Sequence, residues 1–80
     1  MDIANSKHGV PIRLPHERWT HITEGHPEMA GFYYDVLSTI DEPVKIVEGS
    51  SSEKLAIKRL NRNQYVCVVY KELSNKDGFV

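Results

Sequence analysis

His21 and His26 lie close together in the segment Arg18-Trp-Thr-His-Ile-Thr-Glu-Gly-His-Pro27. Histidine is the side chain whose ordinary pKa, ~6.5, lets it take and give protons near neutrality. On an unbroken helix, residues five apart point ~140° away from one another around the axis, so the two rings would diverge. Gly25 and Pro27 break the helix between and beyond them, which lets one ring on the last turn and one in the exit face a common sheet edge. A base and an acid so placed suit phosphodiester transesterification. The base removes the ribose 2′-OH proton, the acid protonates the leaving oxygen, and cations such as Lys58, Arg59 or Arg62 stabilise the charge that develops. Each histidine also has a plainer reading. His21 caps or packs the helix end, although it shares its helix with Arg18; His26-Pro27 is a turn.

Other chemistries are less well served. His21, His26 and Glu28 offer three potential metal ligands, but their spacing matches neither a zinc finger nor a metalloprotease helix, so no metal and no other cofactor is expected. Cys67 sits among Val66, Val68 and Val69 and reads as a buried strand thiol rather than a nucleophile. His8 and His16 read as surface residues. Phe32, Tyr33 and Tyr34, like Tyr65 and Tyr70, suit core packing better than base stacking. The chain has no glycine-rich phosphate loop.

The elements that must position these residues follow from periodicity. Met1 to Gly9 has no period and is expected to be a mobile tail. Val10, Ile12 and Leu14 alternate on one face, and Pro11 marks their segment as an edge strand or extended lead-in. A short helix follows from His16 to about Glu24, with Trp19 and Ile22 as anchors. A second runs from about Met29 to Ile40, where Met29, Phe32 or Tyr33, Val36, Leu37 and Ile40 recur at helical spacing. Val44–Val47, Lys54–Leu60 and Gln64–Leu73 read as strands separated by short turns, the natural pattern of an antiparallel meander. Both faces of the third strand are apolar, which makes it central. After the turn Ser74–Gly78, Phe79 and Val80 begin a further strand. The expectation is one α+β domain over residues 10–80, in which two N-terminal helices pack on an antiparallel sheet of three to four strands. Its anchors are Trp19, Ile22, Val36, Leu37, Ile40, Ile57, Val66 and Val68.

Composition bounds what this domain does. Eighty residues, 40% of them hydrophobic and 26% charged, suit one small globular core. A single cysteine forms no internal disulfide, and no run of eighteen apolar residues is present, so a cytoplasmic location without membrane insertion is expected. The net charge of −1 hides an asymmetry. Residues 1–53 carry four basic against nine acidic groups, and residues 54–80 carry six basic against two. A phosphodiester would favour the basic part, although composition alone favours the plainer reading of a solvated strand face.

The order Arg18-Trp19-x-His21-Ile22-x-x-x-His26-Pro27-Glu28, a second helix, Glu42-Pro43 and a β-meander resembles the phage-associated members of the barnase/EndoU/colicin/RelE-like (BECR) superfamily. The resemblance runs from about Ile12 to Val80. It implies a metal-independent ribonuclease-like fold of the kind found in toxins, prophage proteins and mobile elements. His21 then takes the acid–base role, His26 is a second candidate, and Arg18 joins Lys58, Arg59, Arg62 and Lys71 as phosphate- or RNA-binding groups. RNA and a protein inhibitor or antitoxin are the partners it implies. Family members continue the strand that begins near Phe79-Val80 through a Thr-Ala-aromatic stretch that this sequence lacks. That departure supports an alternative, a non-catalytic interaction module that pairs through an open sheet edge. A homodimer through the C-terminal edge is the simplest form of such pairing.

Overall fold

A computed structural model describes residues 2–80. The chain forms strands β1 (Asp2–Asn5) and β2 (Pro11–Leu14), helix α1 (His16–Gly25), a 3-10 segment (Pro27–Gly31) and helix α2 (Tyr33–Asp41). Strands β3 (Lys45–Glu48), β4 (Lys54–Asn61), β5 (Gln64–Glu72) and β6 (Gly78–Phe79) follow. All six strands join one sheet in the order β1-β2-β6-β5-β4-β3. The α+β class and the β3-β4-β5 meander agree with the periodicity. The sheet is nevertheless larger than the expected three to four antiparallel strands and is mixed, because β6 runs parallel to β2 and antiparallel to β5.

Three expectations are corrected at the N-terminal end and in β5. Residues 2–5 are not a mobile tail: Asp2–Asn5 pair with Leu14–Pro11. The intervening turn closes through Ser6, whose N–H donates to the Val10 carbonyl and whose Oγ accepts the Val10 N–H. Gly9 sits at φ +77° in this turn, a conformation glycine adopts without steric cost. Consequently β2 is not an edge strand. Pro11 is tolerated because it opens the strand, and Ile12 and Leu14 are completely buried. In β5, Cys67 is exposed rather than buried, since Val66, Val68 and Tyr70 take the covered face and strand alternation turns Tyr65, Cys67 and Val69 to the other.

The helical region divides more finely than its apolar spacing implies. Pro15 is extended and its carbonyl accepts the Trp19 N–H, opening α1 without a side-chain cap. The helix closes when the His26 N–H bonds the Ile22 carbonyl at 2.8 Å. Tight i→i−3 bonds from Met29 to His26 and from Phe32 to Met29 define the 3-10 segment. The second α-helix therefore starts at Tyr33, not Met29. Trp19 packs edge-to-face on Tyr33 with ring centroids 5.2 Å apart, joining α1 to α2. The Tyr33 hydroxyl donates to Asp2 at 2.6 Å, and this hydrogen bond pushes the phenol pKa up to about 12.

Helix α2 packs on β1, β4 and β5, and buries Val36, Thr39 and Ile40. The core comprises Val36 and Ile40 with Ala4, Val10, Ile12, Leu14, Ala56, Val66, Val68 and Tyr70. Trp19, Ile22 and Leu37 are half-buried at its margin. Ile57 faces away from it, paired with the exposed Cys67.

A polar clamp ties the N-terminal hairpin to β5. The Glu72 carboxylate accepts the Ser6 hydroxyl and faces His8 Nδ1 at 2.9 Å, while Lys54 lies 3.9 Å away and also pairs with Glu48 at 2.7 Å. Burial pushes the Glu72 pKa up, but hydrogen bonds from Ser6 and His8 and the charges of His8 and Lys54 outweigh it, leaving the pKa below the usual 4.5. A carboxyl depressed by folding stabilises the native state above its unfolded pKa, and that contribution is lost as pH falls through ~4.5 and below. Thermal unfolding between pH 3 and 7 is expected to show this loss, and Glu72→Gln is expected to flatten it. An acid profile identical in the variant would contradict the clamp.

Candidate functional site

A groove of about 640 Å³ runs beside β5. One wall carries Arg18 and Ile22 from α1 with His26, Glu28 and Met29 from the segment that follows; the other is β5 from Cys67 to Lys71, and Phe79-Val80 closes one end. The helix break positions His26: its backbone ends α1 and opens the 3-10 segment, bringing Nδ1 to 3.4 Å from a Glu28 carboxylate oxygen. His21 lies in a second depression of about 600 Å³ with Arg13, Glu17 and Leu73. The two depressions share Arg18, Phe79 and Val80, so the histidines flank a common boundary.

The proposed cations do not all gather there. Arg18 and Lys71 line the groove with His26. Lys58 points to the helix side of the sheet and donates to Ser38 Oγ at 2.6 Å, because it pairs with the core-facing Val66. Arg59 lies opposite Tyr65 and donates to the carbonyls of Asn61 and Arg62. Arg59 and Arg62 are thus held at the β4–β5 turn, ~20 Å of extended strand from Lys71. Of Lys58, Arg59, Arg62 and Lys71, the four cations expected near His21, only Lys71 lines either depression, and it does so beside His26.

Strand register also places the strand carboxylates on one face of the sheet and most of the strand cations on the other. The strand carboxylates Asp2, Glu48 and Glu72 are all on the side that carries the helices, whereas the open face presents Arg13, Lys45, Arg59 and Lys71. Tyr65 and Phe79 share that face, and the Arg59 guanidinium lies 6.0 Å from the Tyr65 ring centroid. Arg13 is neutralised at the margin by Asp77, with Nε 2.8 Å from the carboxylate.

Nothing in the residue spacing marks Glu28 as the partner of His26, or Arg13 and the boundary at Phe79-Val80 as parts of the site. Alternation along β5 held the signal for the open face, since fixing Val66 as inward places Tyr65 and Lys71 outward. Among the described residues, no group of three or more His, Cys, Asp or Glu is arranged to hold a metal ion, and no helix is long and apolar enough to cross a membrane. No family model, curated protein or solved structure matches the chain.

Proposed function

We propose that this domain is a small metal-independent ribonuclease-like module that binds RNA across its open sheet face. The segregation of charge carries this reading: the face without helices is cationic and bears two aromatic rings, the combination that phosphates and unstacked bases favour. Lys71 belongs both to that face and to the groove, so a strand bound along Tyr65 and Lys71 leads to Arg18, His26 and His21.

In the transesterification, His21 takes the 2′-OH proton, the 2′-oxygen attacks phosphorus, and His26 returns a proton to the departing 5′-oxygen. A 2′,3′-cyclic phosphate and a free 5′-hydroxyl result. The Glu28 carboxylate beside Nδ1 orients the His26 ring and leaves Nε2 to carry the transferred proton. Arg18 and Lys71 stabilise the additional charge on the phosphoryl oxygens.

The test combines binding and cleavage of a labelled single-stranded RNA. His21→Ala and His26→Ala are each expected to reduce cleavage ~100-fold or more while leaving binding intact. Pairing Arg59→Ala with Lys71→Ala is expected to weaken binding and flatten its salt dependence. Absence of salt-dependent RNA binding by the unsubstituted protein would overturn the assignment; binding without cleavage would retain the surface and remove the acid–base roles.

A further inference from the structure

The turn that leads into β6 carries a chemistry that neither depression uses. Of the four aspartates and four asparagines in the chain, only Asp77 is followed by glycine. Glycine has no Cβ to shield its backbone nitrogen or to restrict its torsions, so the nitrogen after an aspartate attacks the carboxyl most readily when it belongs to glycine. The other aspartates precede Ile3, Val36 and Glu42. We propose that Asp77-Gly78 is a site of aspartate-to-isoaspartate isomerisation that the folded sheet guards, and that the modification, once made while β6 is open, prevents that strand from returning.

The reaction needs only water. The Gly78 nitrogen attacks Asp77 Cγ and forms a C–N bond, while the amide hydrogen and a hydroxyl from the protonated carboxyl leave as water, closing a succinimide ring. Water then adds at the Asp77 α-carbonyl and breaks its bond to the Gly78 nitrogen. The main chain now runs through Cβ and Cγ, and the former α-carbonyl is a free carboxylate. No atom is gained or lost overall, but the path from Asp77 to Gly78 is longer by one carbon–carbon bond, ~1.5 Å.

The fold opposes the first step and excludes the product. Both carboxylate oxygens are held by Arg13, with Nε at 2.8 Å and Nη2 at 3.1 Å, so Cγ is not free to turn onto the Gly78 nitrogen. The backbone is fixed as well: the Asp77 carbonyl accepts the Leu73 and Ser74 N–H groups, and Gly78 is buried between Glu72 of β5 and Ile12 of β2. Space there is already exhausted, since a Cβ on Gly78 would lie 2.5 Å from the Lys71 carbonyl oxygen. A main chain lengthened by ~1.5 Å displaces Gly78 and Phe79 by about half the ~3.3 Å rise of a strand residue, out of register with both neighbours. Phe79 and Val80 border both depressions, so an isoaspartate at position 77 also removes their shared boundary.

The test ages the unsubstituted protein at neutral pH and reads isoaspartate as resistance of the Lys76–Asp77 bond to a peptidase that cleaves before aspartate but not before isoaspartate. Isomerisation is expected to be about tenfold or more slower in the folded protein than in the blocked peptide Asn-Lys-Asp-Gly-Phe, because only the opened fraction reacts, and to reach the peptide's rate in denaturing urea. Arg13→Gln is expected to raise the rate several-fold with far-UV circular dichroism unchanged. If that variant does not fold, urea below the unfolding transition replaces it, and the rate in the unsubstituted protein is expected to rise with the opening of β6. That opening is read by hydrogen exchange at the Leu73 and Val80 amides, which bond to Asp77 and Arg13. After urea is removed, isomerised protein is expected to regain protection at Ile40 in α2 but not at Leu73 and Val80. A folded protein that isomerises as fast as the peptide, or a folded Arg13→Gln variant no faster than the unsubstituted one, would overturn the guard. Full recovery of protection at Leu73 and Val80 by isomerised protein would overturn the permanent loss of β6. Because RNA takes no part, these outcomes are separate from the success or failure of the ribonuclease-like reading.

Discussion

Ile40→Ala is expected to lower the unfolding free energy by about 2–5 kcal/mol, the range measured when a large buried aliphatic side chain is truncated in a core that cannot fully collapse. Ile40 is completely buried at the inner face of α2, the helix that packs on β1, β4 and β5. The loss therefore falls on the layer that joins both halves of the sheet. A domain of this size is expected to have a total stability of ~4–12 kcal/mol, so the variant forfeits a large fraction of it. Urea denaturation should show a lower midpoint with an unchanged slope, and Tm should fall by roughly 10 °C or more. Tyr34→Ala supplies the control on the same helix: its side chain is 75% exposed, and substitution is expected to change stability by no more than ~0.5 kcal/mol. Equal effects at the two positions would mean that α2 does not pack as described.

Gly78→Ala is expected to cost about 1–3 kcal/mol through overpacking, with the damage centred on β6. A Cβ at Gly78 would lie 2.5 Å from the Lys71 carbonyl oxygen and 2.6 Å from Ile12 Cδ1. The first contact is with backbone that is itself held in the sheet, so it cannot be relieved by a rotamer change. Gly25→Ala is the comparison, since nothing lies within 4 Å of its Cβ. Its substitution within a helix is expected to be neutral or slightly stabilising. Hydrogen exchange localises the effect: amide protection should fall at Ile12, Arg13, Lys71 and Glu72, the strand positions bordering β6. Retained protection at those positions, with Tm unchanged, would show that the sheet accepts a side chain there.

The meander and α2 were legible because local sequence determines them. Two-residue alternation gives β4 and β5, and the spacing of Val36, Leu37 and Ile40 gives the buried side of the helix. The other half of the sheet was not legible, although Val10, Ile12 and Leu14 alternate. Asp2–Asn5 has only Ile3 and Ala4 as apolar residues, and its strand conformation is fixed by pairing with β2 and by packing of α2 on Ala4. The parallel contact between β2 and β6 joins segments that no local pattern relates. At the site, the helix break at Gly25-His26-Pro27 was read correctly from residue type. The cations were misplaced because their direction depends on strand register: one residue of offset separates Lys58 on the helix side from Arg59 on the open face.

The strand ladder between the two halves of the sheet is built from contacts distant in sequence. Ser6 and Glu72, whose side chains meet in the clamp, are 66 residues apart, and Arg13 and Asp77 are 64 apart. Bringing such distant segments together costs loop-closure entropy before β6 gains its neighbours, and topologies dominated by distant contacts fold slowly. The meander with α2 assembles from nearby segments, whereas the strand ladder that links β2 to β5 is completed only when β6 is available. During translation the hairpin emerges well before β6. Until β6 leaves the ribosome, Ile12 and Leu14 have only part of their final cover, and association with other chains competes with completion of the fold.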